Sequence, residues 1–250
     1  CNYEIDNSWW ISKMVKKPGN ALPGFAKNGM FKSSVVALDW HPNNELLATG
    51  CCDFYCRVFS AYTDGLDVGA DTGALGMARQ PFGNIVYQAK ASGWVETVAW
   101  SPSGNVLAFG AHDSSVGVTD FSTGTPIEHH ISLTTLPLLV SAFLADDTLV
   151  GAGYDFNPCL LTGSGPGGSW EFNQYLDKKP APGAAGATAK AEGGFSSARN
   201  MFEAKVSRGE SGGRGKQGDK LWTKHENAIT EMVNMGNGFV STSGTDGKLV

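Results

Sequence analysis

Short runs of alternating apolar and polar residues recur along the chain, each bounded by residues that favour turns. The first complete set, VVALDWHPNNELLATGCCDFYCRVFS, spans residues 35–60. Its opening alternation, from Val35 to Trp40, predicts a strand, and the following His-Pro-Asn-Asn predicts a tight turn because Pro fixes φ and Asn accepts positive φ. A second strand is predicted at residues 45–50. After a Gly-x-x-Asp turn, a third strand is predicted at Cys56–Phe59.

The same pattern returns three more times. Residues 95–120 repeat residues 35–60 with an offset of 60, so that Trp100 aligns with Trp40. Residues 138–162 form a third copy with Phe143 at the Trp position, and residues 229–250 form a weaker fourth copy. Each copy has an aspartate at its second turn: Asp53, Asp113, Asp155 and Asp246.

Three short strands per copy, with a fourth in the linker, predict an all-β fold of the WD-repeat β-propeller class. The spacing of 42 residues between Asp113 and Asp155 agrees with the about 40–45 residues of a WD-type blade. The other two spacings are 60 and 91 residues and require insertions. Gly-rich segments poor in apolar residues mark the predicted exposed loops: Pro18–Lys32, Thr63–Gln80 and Gly163–Lys220.

We treat residues 1–250 as a single partial propeller domain with a mostly disordered insertion at residues 163–220. Within the insertion, residues 196–206 have the pattern of a short helix that begins at a serine cap and ends before Gly209. Because an isolated helix of about ten residues is marginal in water, it packs either on its own propeller or in a partner's groove. The predicted partner-binding residues of this segment are Phe195, Ala198, Arg199, Met201, Phe202 and Val206.

Composition and charge narrow the class of protein. Glycine makes up 33 of 250 residues, which suits a turn-rich β fold. The chain shows no run long enough to span a bilayer and no secretory signal. It lacks an initiator Met and ends at Val250 inside an apolar alternation, so we interpret it as an internal fragment of a longer protein. Residues 178–220 carry a charge of +5, whereas the remaining residues carry −10. Five cysteines without a C-x-x-C pair indicate reduced thiols in a cytosol or nucleus.

The search for catalytic or ligand-binding motifs predicts no enzyme, no metal site and no cofactor. Two G-x-G-x-x-G matches, at residues 163–168 and 213–218, lack the helix and acidic residue of a dinucleotide site. The four turn aspartates could be catalytic, but their recurrence at one turn favours a structural role as acceptors of backbone N–H groups. His41, His112 and His225 do not align with one another and are interpreted as turn or surface residues.

Several side motifs lie outside the generic repeat pattern and together are highly specific. They are Trp9–Pro18, Leu38–Asn44, Cys52–Phe54, Arg57–Tyr62, Pro81–Gly83, Gly93–Val95, His112–Ser114 and Thr135–Leu139. In these motifs the chain resembles the WD-repeat propeller subunit of the actin-related protein 2/3 complex.

The resemblance implies a seven-bladed propeller, of which this chain holds about four to five blades. It implies a non-catalytic, cytoplasmic scaffold of the actin cytoskeleton that supports nucleation and branching of actin filaments. The implied partners are the other subunits of the complex, the actin filament and nucleation-promoting factors. The family's protruding helix has an Ala-Arg-x-x-Phe core, which Ala198, Arg199 and Phe202 match.

A generic WD-repeat adaptor in RNA processing or signalling is the alternative. It would use the basic loop, where Arg208, Arg214 and Lys216 lie among glycines, and its binding would depend steeply on salt. Identifying the proteins that co-purify with this one distinguishes the two functions.

Overall fold

The described part of the chain is built from β-strands. The structure, a computed structural model, describes residues 2–4, 9–11, 31–63, 75, 80–179 and 222–250. These residues contain sixteen strands and no α-helix. The strands are β1 Asn2–Glu4, β2 Trp9–Ile11, β3 Val35–Trp40, β4 Leu46–Cys51, β5 Tyr55–Ser60, β6 Ile85–Lys90, β7 Val95–Trp100, β8 Val106–Ala111, β9 Ser115–Asp120, β10 Ile127–Ser132, β11 Leu138–Ala145, β12 Thr148–Gly153, β13 Cys159–Gly163, β14 Trp170–Tyr175, β15 Ile229–Gly236 and β16 Phe239–Gly244.

The strands form successive antiparallel sheets in chain order, as predicted for propeller blades. Three sheets have four strands each, β3 to β6, β7 to β10 and β11 to β14, and the strands of each lie side by side in sequence order. Strands β15 and β16 form a two-stranded sheet, to which Leu249 adds an isolated bridge with Ser243. We call these four sheets blades 1 to 4. A separate pair is formed by β1 and β2.

The turns follow the predicted chemistry. Asn44 ends the His-Pro-Asn-Asn turn with φ of 59°, and Gly104 ends the equivalent turn of blade 2 with φ of 78°. Both values lie in the left-handed region that Asn and Gly tolerate best. The two turns therefore close β3 onto β4 and β7 onto β8 with the same backbone geometry.

The insertion after blade 3 begins later than predicted. Strand β14 pairs with β13 from Gly163–Trp170 to Cys159–Tyr175, so residues 164–175 belong to a hairpin rather than to a disordered loop. Three aromatic residues, Trp170, Phe172 and Tyr175, supply the apolar surface that this segment needs to pack. The predicted helix at residues 196–206 lies outside the described residues.

The core lies between the blades rather than within any one of them. Ala48 and Val58 of blade 1 pack in one cluster with Val98, Trp100 and Leu107 of blade 2. A second cluster joins blades 2 and 3, and a third joins blades 3 and 4. Because side chains alternate between the faces of a sheet, each blade presents one apolar face to each neighbour.

Polar groups also join neighbouring blades. The backbone N–H of Trp100 donates to Asp39 Oδ2 at 2.7 Å, and the Asn234 side-chain amide donates to the Phe143 carbonyl at 2.7 Å. Between blades 2 and 3, the Gly167 N–H donates to Asp120 Oδ2 at 2.6 Å. Adjacent blades are therefore held in register by directional bonds as well as by apolar packing.

Candidate functional site

The structure describes the four turn aspartates but not the predicted partner-binding residues. The six insertion residues, from Phe195 to Val206, lie outside the described residues and their binding role stays a prediction. The four turn aspartates are all described. Asp53, Asp113 and Asp155 lie in the turn between the second and third strands of their blades, and Asp246 lies in the turn that follows the second strand of blade 4. In propellers this turn shares a rim with the loop that enters the first strand of the same blade.

Three of the turn aspartates bond across that rim. Asp53 Oδ2 accepts the Lys32 N–H at 3.1 Å, and Asp155 Oδ2 accepts the Leu136 N–H at 2.9 Å. Asp246 Oδ2 accepts the backbone N–H of residue 226 at 2.8 Å. In each of these blades the carboxylate ties the turn to the loop that enters the first strand.

Asp113 differs, since it bonds within its own turn. Its Oδ1 accepts the Ser115 hydroxyl at 2.6 Å and the Ser115 N–H at 3.3 Å. This carboxylate is exposed and has no Lys or Arg partner among the described residues. It therefore remains available to a group from outside the chain.

The residue after each turn aspartate has a left-handed backbone. Phe54, Ser114, Phe156 and Gly247 have φ of 72°, 61°, 62° and 73°. Only Gly247 adopts this region without steric cost, so three of the four turns hold a strained residue. The shared strain shows that the turn geometry, rather than the identity of the following residue, is the constant feature.

Asp53 is further held by an ion pair. Its Oδ2 lies 2.9 Å from Arg57 Nη2, and both side chains are about 5% exposed or less. Burial opposes ionisation of the carboxyl, but the hydrogen bonds from Arg57 and from the Lys32 backbone outweigh it and lower the pKa of Asp53. The buried guanidinium also lies 4.7 Å from the Tyr55 ring centroid and 5.6 Å from that of Phe31.

Two histidines are buried, which corrects their interpretation as surface residues. His225 is 1% exposed, with Nδ1 at 3.2 Å from Asp246 Oδ1 and Nε2 at 2.9 Å from Thr242 Oγ1. His41 lies in its turn as predicted but is 2% exposed, and its Nε2 lies 3.0 Å from the Gly104 carbonyl of the next blade.

The spacing of the rim bonds could have located His225. The residue whose N–H bonds to the turn aspartate precedes it by 21 residues at Lys32, by 19 at Leu136 and by 20 at Glu226. His225 immediately precedes Glu226, so this spacing places it beside Asp246. His225 thus belongs to a structural network of its blade, and its imidazole is saturated by two partners.

The described residues offer little for catalysis. No group of three or more His, Cys, Asp or Glu side chains in the described ranges is arranged to hold a metal ion. Burial raises the pKa of the Cys56 and Cys159 thiols to about 12, so that neither is a thiolate at neutral pH. The glycines at 163–168 form a hairpin into an antiparallel strand, whereas a dinucleotide site needs a helix there.

A cavity lies where the first strands of the four blades converge. It has a volume of about 670 Å³ and is lined by β3, β7, β11 and β15. Its titratable lining residues are all acidic: Asp39, Glu96 and Glu231. Two of its lining residues, Thr97 of blade 2 and Ser141 of blade 3, are within hydrogen-bond distance, with Oγ1 and Oγ 2.9 Å apart. The cavity is open to solvent and faces the inner side of the four blades, and we call it the inner channel.

The outward faces of blades 1 and 4 are exposed. Leu38 and Trp40 of blade 1 are 63% and 44% exposed, whereas the aligned Val98 and Trp100 of blade 2 are each 6% exposed because blade 1 covers them. On blade 4, Met235 is 65% exposed. Equivalent positions thus differ only in whether a neighbouring blade is present. Among the described residues, no helix is long and apolar enough to cross a bilayer.

Family comparisons agree with the fold. A family described as "WD domain, G-beta repeat" matches residues 27–60, and the "Anaphase-promoting complex subunit 4 WD40 domain" family matches residues 66–141. A solved structure described as RRP9 WD40 repeats aligns over 88% of this chain and 48% of its own, with a TM-score of 0.55 and 11% identity. At that identity the match supports the WD-repeat propeller fold alone.

Curated relatives identify the family within this fold. The chain is 34% identical to actin-related protein 2/3 complex subunit 1B of Arabidopsis thaliana, over 100% of this chain and 63% of that protein. It is 33% identical to subunit 1 of Schizosaccharomyces pombe, over 100% of this chain and 66% of that protein. Over 65% of this chain and 41% of the relative, it is 40% identical to subunit 1A-B of Xenopus laevis.

The chain therefore spans about 63–66% of the relatives that it matches over its whole length. Similarity along the entire chain, joined to the WD-repeat matches and the bladed fold, confirms the family that the sequence motifs indicated. The chain belongs to the family of subunit 1 of the actin-related protein 2/3 complex.

Proposed function

We propose that the chain is part of a non-catalytic scaffold subunit of the actin-related protein 2/3 complex. The observation that supports this most is the similarity over 100% of the chain to proteins named as subunit 1 of that complex. The proposed location is the cytoplasmic actin cytoskeleton, and the proposed partners are the other subunits, the actin filament and nucleation-promoting factors.

The mechanism is binding rather than chemistry. Actin nucleation is slow because the first subunits must meet in filament-like register. A scaffold that holds actin-like subunits together raises their effective concentration and lowers the entropic cost of assembly. The blade array suits this role, because its bonds across blades fix the rims in position before a partner arrives.

The proposal also accounts for the exposed outward faces of blades 1 and 4. They would pack against further blades of the longer protein, in the way that blade 1 covers Val98 and Trp100 of blade 2. With both faces covered by blades, partner subunits would bind at the rims and at the insertion.

The first experiment is affinity purification of the tagged full-length protein from its own cytosol, followed by mass spectrometry. Two actin-related proteins with a small set of further subunits, in near-equal amounts, are expected. RNA-binding or signalling proteins in their place would refute the assignment and favour a generic adaptor.

The insertion is tested separately, in the purified complex. Phe202→Ala with Arg199→Ala is expected to weaken branching by at least tenfold in a filament-branching assay while the complex still assembles, because aromatic and Arg anchors carry much of the binding energy of interfaces. Lys190→Ala, in the same insertion but outside the proposed helix, is the matched control. Unchanged branching by the double variant would remove the docking role.

A further inference from the structure

The rim of blades 2 and 3 exposes bulky apolar side chains that no neighbouring blade could cover. Trp94, Leu136 and Tyr154 are 48%, 53% and 38% exposed. They lie on loops and turns of the two middle blades, which already have a blade on each side. Their exposure therefore has a different cause from that of Trp40 or Met235, which lie on the open faces at the ends of the array.

The exposed residues belong to one continuous stretch of rim. The Trp94 and His112 rings lie 5.2 Å apart, so the loop entering blade 2 contacts the turn of that blade. From the same turn, the Ser114 carbonyl accepts the Leu133 N–H at 2.8 Å, which joins it to the loop entering blade 3. That loop in turn bonds to the turn of blade 3, through the Leu136 N–H and Asp155.

The charge on this stretch is unbalanced. Glu96, Asp113 and Asp155 have no Lys or Arg partner among the described residues, and Glu96 bonds only to His112, at 3.1 Å. The rims of the outer blades differ, because there Asp53 pairs with Arg57 and Glu226 pairs with Lys248 at 2.7 Å. The Glu96 side chain also lines the inner channel, where the other titratable groups are Asp39 and Glu231.

An exposed indole beside carboxylates that lack a Lys or Arg partner among the described residues is suited to a cation on an otherwise apolar segment. A guanidinium or ammonium group placed on the Trp94 face would gain a cation–π contact and could reach Glu96 or Asp113. Leu136 and Tyr154 would then supply apolar contact for the next residues of the same segment. An acidic segment would meet the three carboxylates without compensation, so charge complementarity selects a basic one.

We propose that the rim formed by Trp94, Glu96, His112, Asp113, Leu136 and Tyr154 is a docking surface for a basic, apolar segment of a partner polypeptide, with an Arg or Lys seated on Trp94. This surface is distinct from the insertion and goes beyond the scaffold role proposed above.

The test uses the full-length protein in its purified assembly, with the substitution Tyr154→p-benzoylphenylalanine, which keeps an aromatic ring and leaves Trp94 intact. After irradiation, mass spectrometry locates the cross-linked residue. The expected product joins position 154 to a segment of another polypeptide that has an Arg or Lys within about three residues of the cross-link. Its yield should fall as salt is raised from low to high, as for a screened charge contact.

A second variant tests the assignment of the anchor. Trp94→Ala with Glu96→Gln is expected to lower the cross-link yield on the order of tenfold, the effect of losing an interface anchor. Glu171→Gln, an exposed carboxylate on β14, is the matched control and should leave the yield unchanged. Retained circular dichroism and melting temperature would establish that both variants are folded.

Four outcomes would overturn the proposal. They are a cross-linked segment without a basic residue, a cross-link only to this chain's own insertion or to a second copy, a yield that the Trp94 and Glu96 changes do not affect, and absence of any cross-link in the assembly. The Phe202 and Arg199 variant should not alter this cross-link, so failure here is distinguishable from failure of the proposed function.

Discussion

The aligned tryptophans of blades 1 and 2 allow the stabilisation that a neighbouring blade provides to be measured. Trp40 and Trp100 occupy the same position in their blades, but Trp100 is 6% exposed and Trp40 is 44% exposed. Trp100 packs in the cluster between the blades and meets the His41 ring edge-on at 4.8 Å. The two substitutions Trp40→Ala and Trp100→Ala therefore remove the same atoms from two different environments.

The expected difference follows from the buried area. A tryptophan buries up to about 250 Å², so the difference in exposure corresponds to roughly 90 Å² of apolar surface. At about 25 cal/mol/Å² this is about 2 kcal/mol. Trp100→Ala also leaves a cavity, which brings its total cost to about 3–5 kcal/mol, whereas Trp40→Ala should cost about 1–2 kcal/mol.

The measurement is urea unfolding of the 250-residue chain, followed by far-UV circular dichroism because the substitutions remove fluorophores. The m-values should stay equal, and the midpoints should be independent of protein concentration, so that self-association through the open faces is not what is measured. Equal losses for the two substitutions, within about 0.5 kcal/mol, would refute the reasoning that blade 1 has an uncovered face.

Three further perturbations test particular bonds by the same unfolding assay. Ser114→Gly should stabilise the chain by about 0.5–1 kcal/mol because it relieves a left-handed residue at φ of 61°; a loss of stability would show that its turn is not strained. Arg57→Met should cost about 3–5 kcal/mol because it leaves Asp53 buried and unpaired, and a loss below about 1 kcal/mol would contradict that. Burial lowers the pKa of His41, so as pH falls the unfolded chain binds a proton at this histidine before the folded chain does. The free energy of unfolding should therefore decrease as pH drops below about 6.5. If His41→Gln shows the same dependence of stability on pH as the wild type, His41 is not the cause.

Much of the fold could be predicted because residues close together in sequence determine the strands and turns of each repeat. The alternation of residues 35–40 and the turn ending at Asn44 specify a hairpin without reference to the rest of the chain. The offset of 60 then transfers the same prediction to residues 95–120, and strands β7 to β9 confirm it. Local rules suffice where the hydrogen-bond partners are close in sequence.

The interactions between blades could not be predicted in the same way. The contact of His41 with Gly104 spans 63 residues, and that of Asn234 with Phe143 spans 91. No local pattern marks these partners, because the relative position of two blades decides which groups meet. His41 was therefore interpreted as a turn or surface residue, although the next blade buries it.

Strand β14 was missed for a related reason. The glycines at 163, 165, 167 and 168 indicate a loop, and only the pairing with β13 turns Trp170–Tyr175 into a strand. Trp170 gains its burial from Phe143 of the same blade, with ring centroids 6.0 Å apart. Composition indicates the turn before Trp170 but could not show that a strand follows it, since that depends on a contact with a residue 27 positions earlier.

The faces of a blade that pack against other blades determine which of its residues are left to bind partners. Period-two alternation sends Ala37 and Asp39 toward blade 2, so Leu38 and Trp40 must point toward whatever lies on the other side. Both faces of blades 2 and 3 are thus committed to neighbouring blades, and apolar substitutions there change stability before they change binding. Recognition is left to the rims and insertions. Trp94 fits that requirement, because it is 48% exposed on the rim and its ring packs on His112 of the same blade. A Trp94→Ala variant that stays folded therefore tests a partner contact rather than the packing between blades.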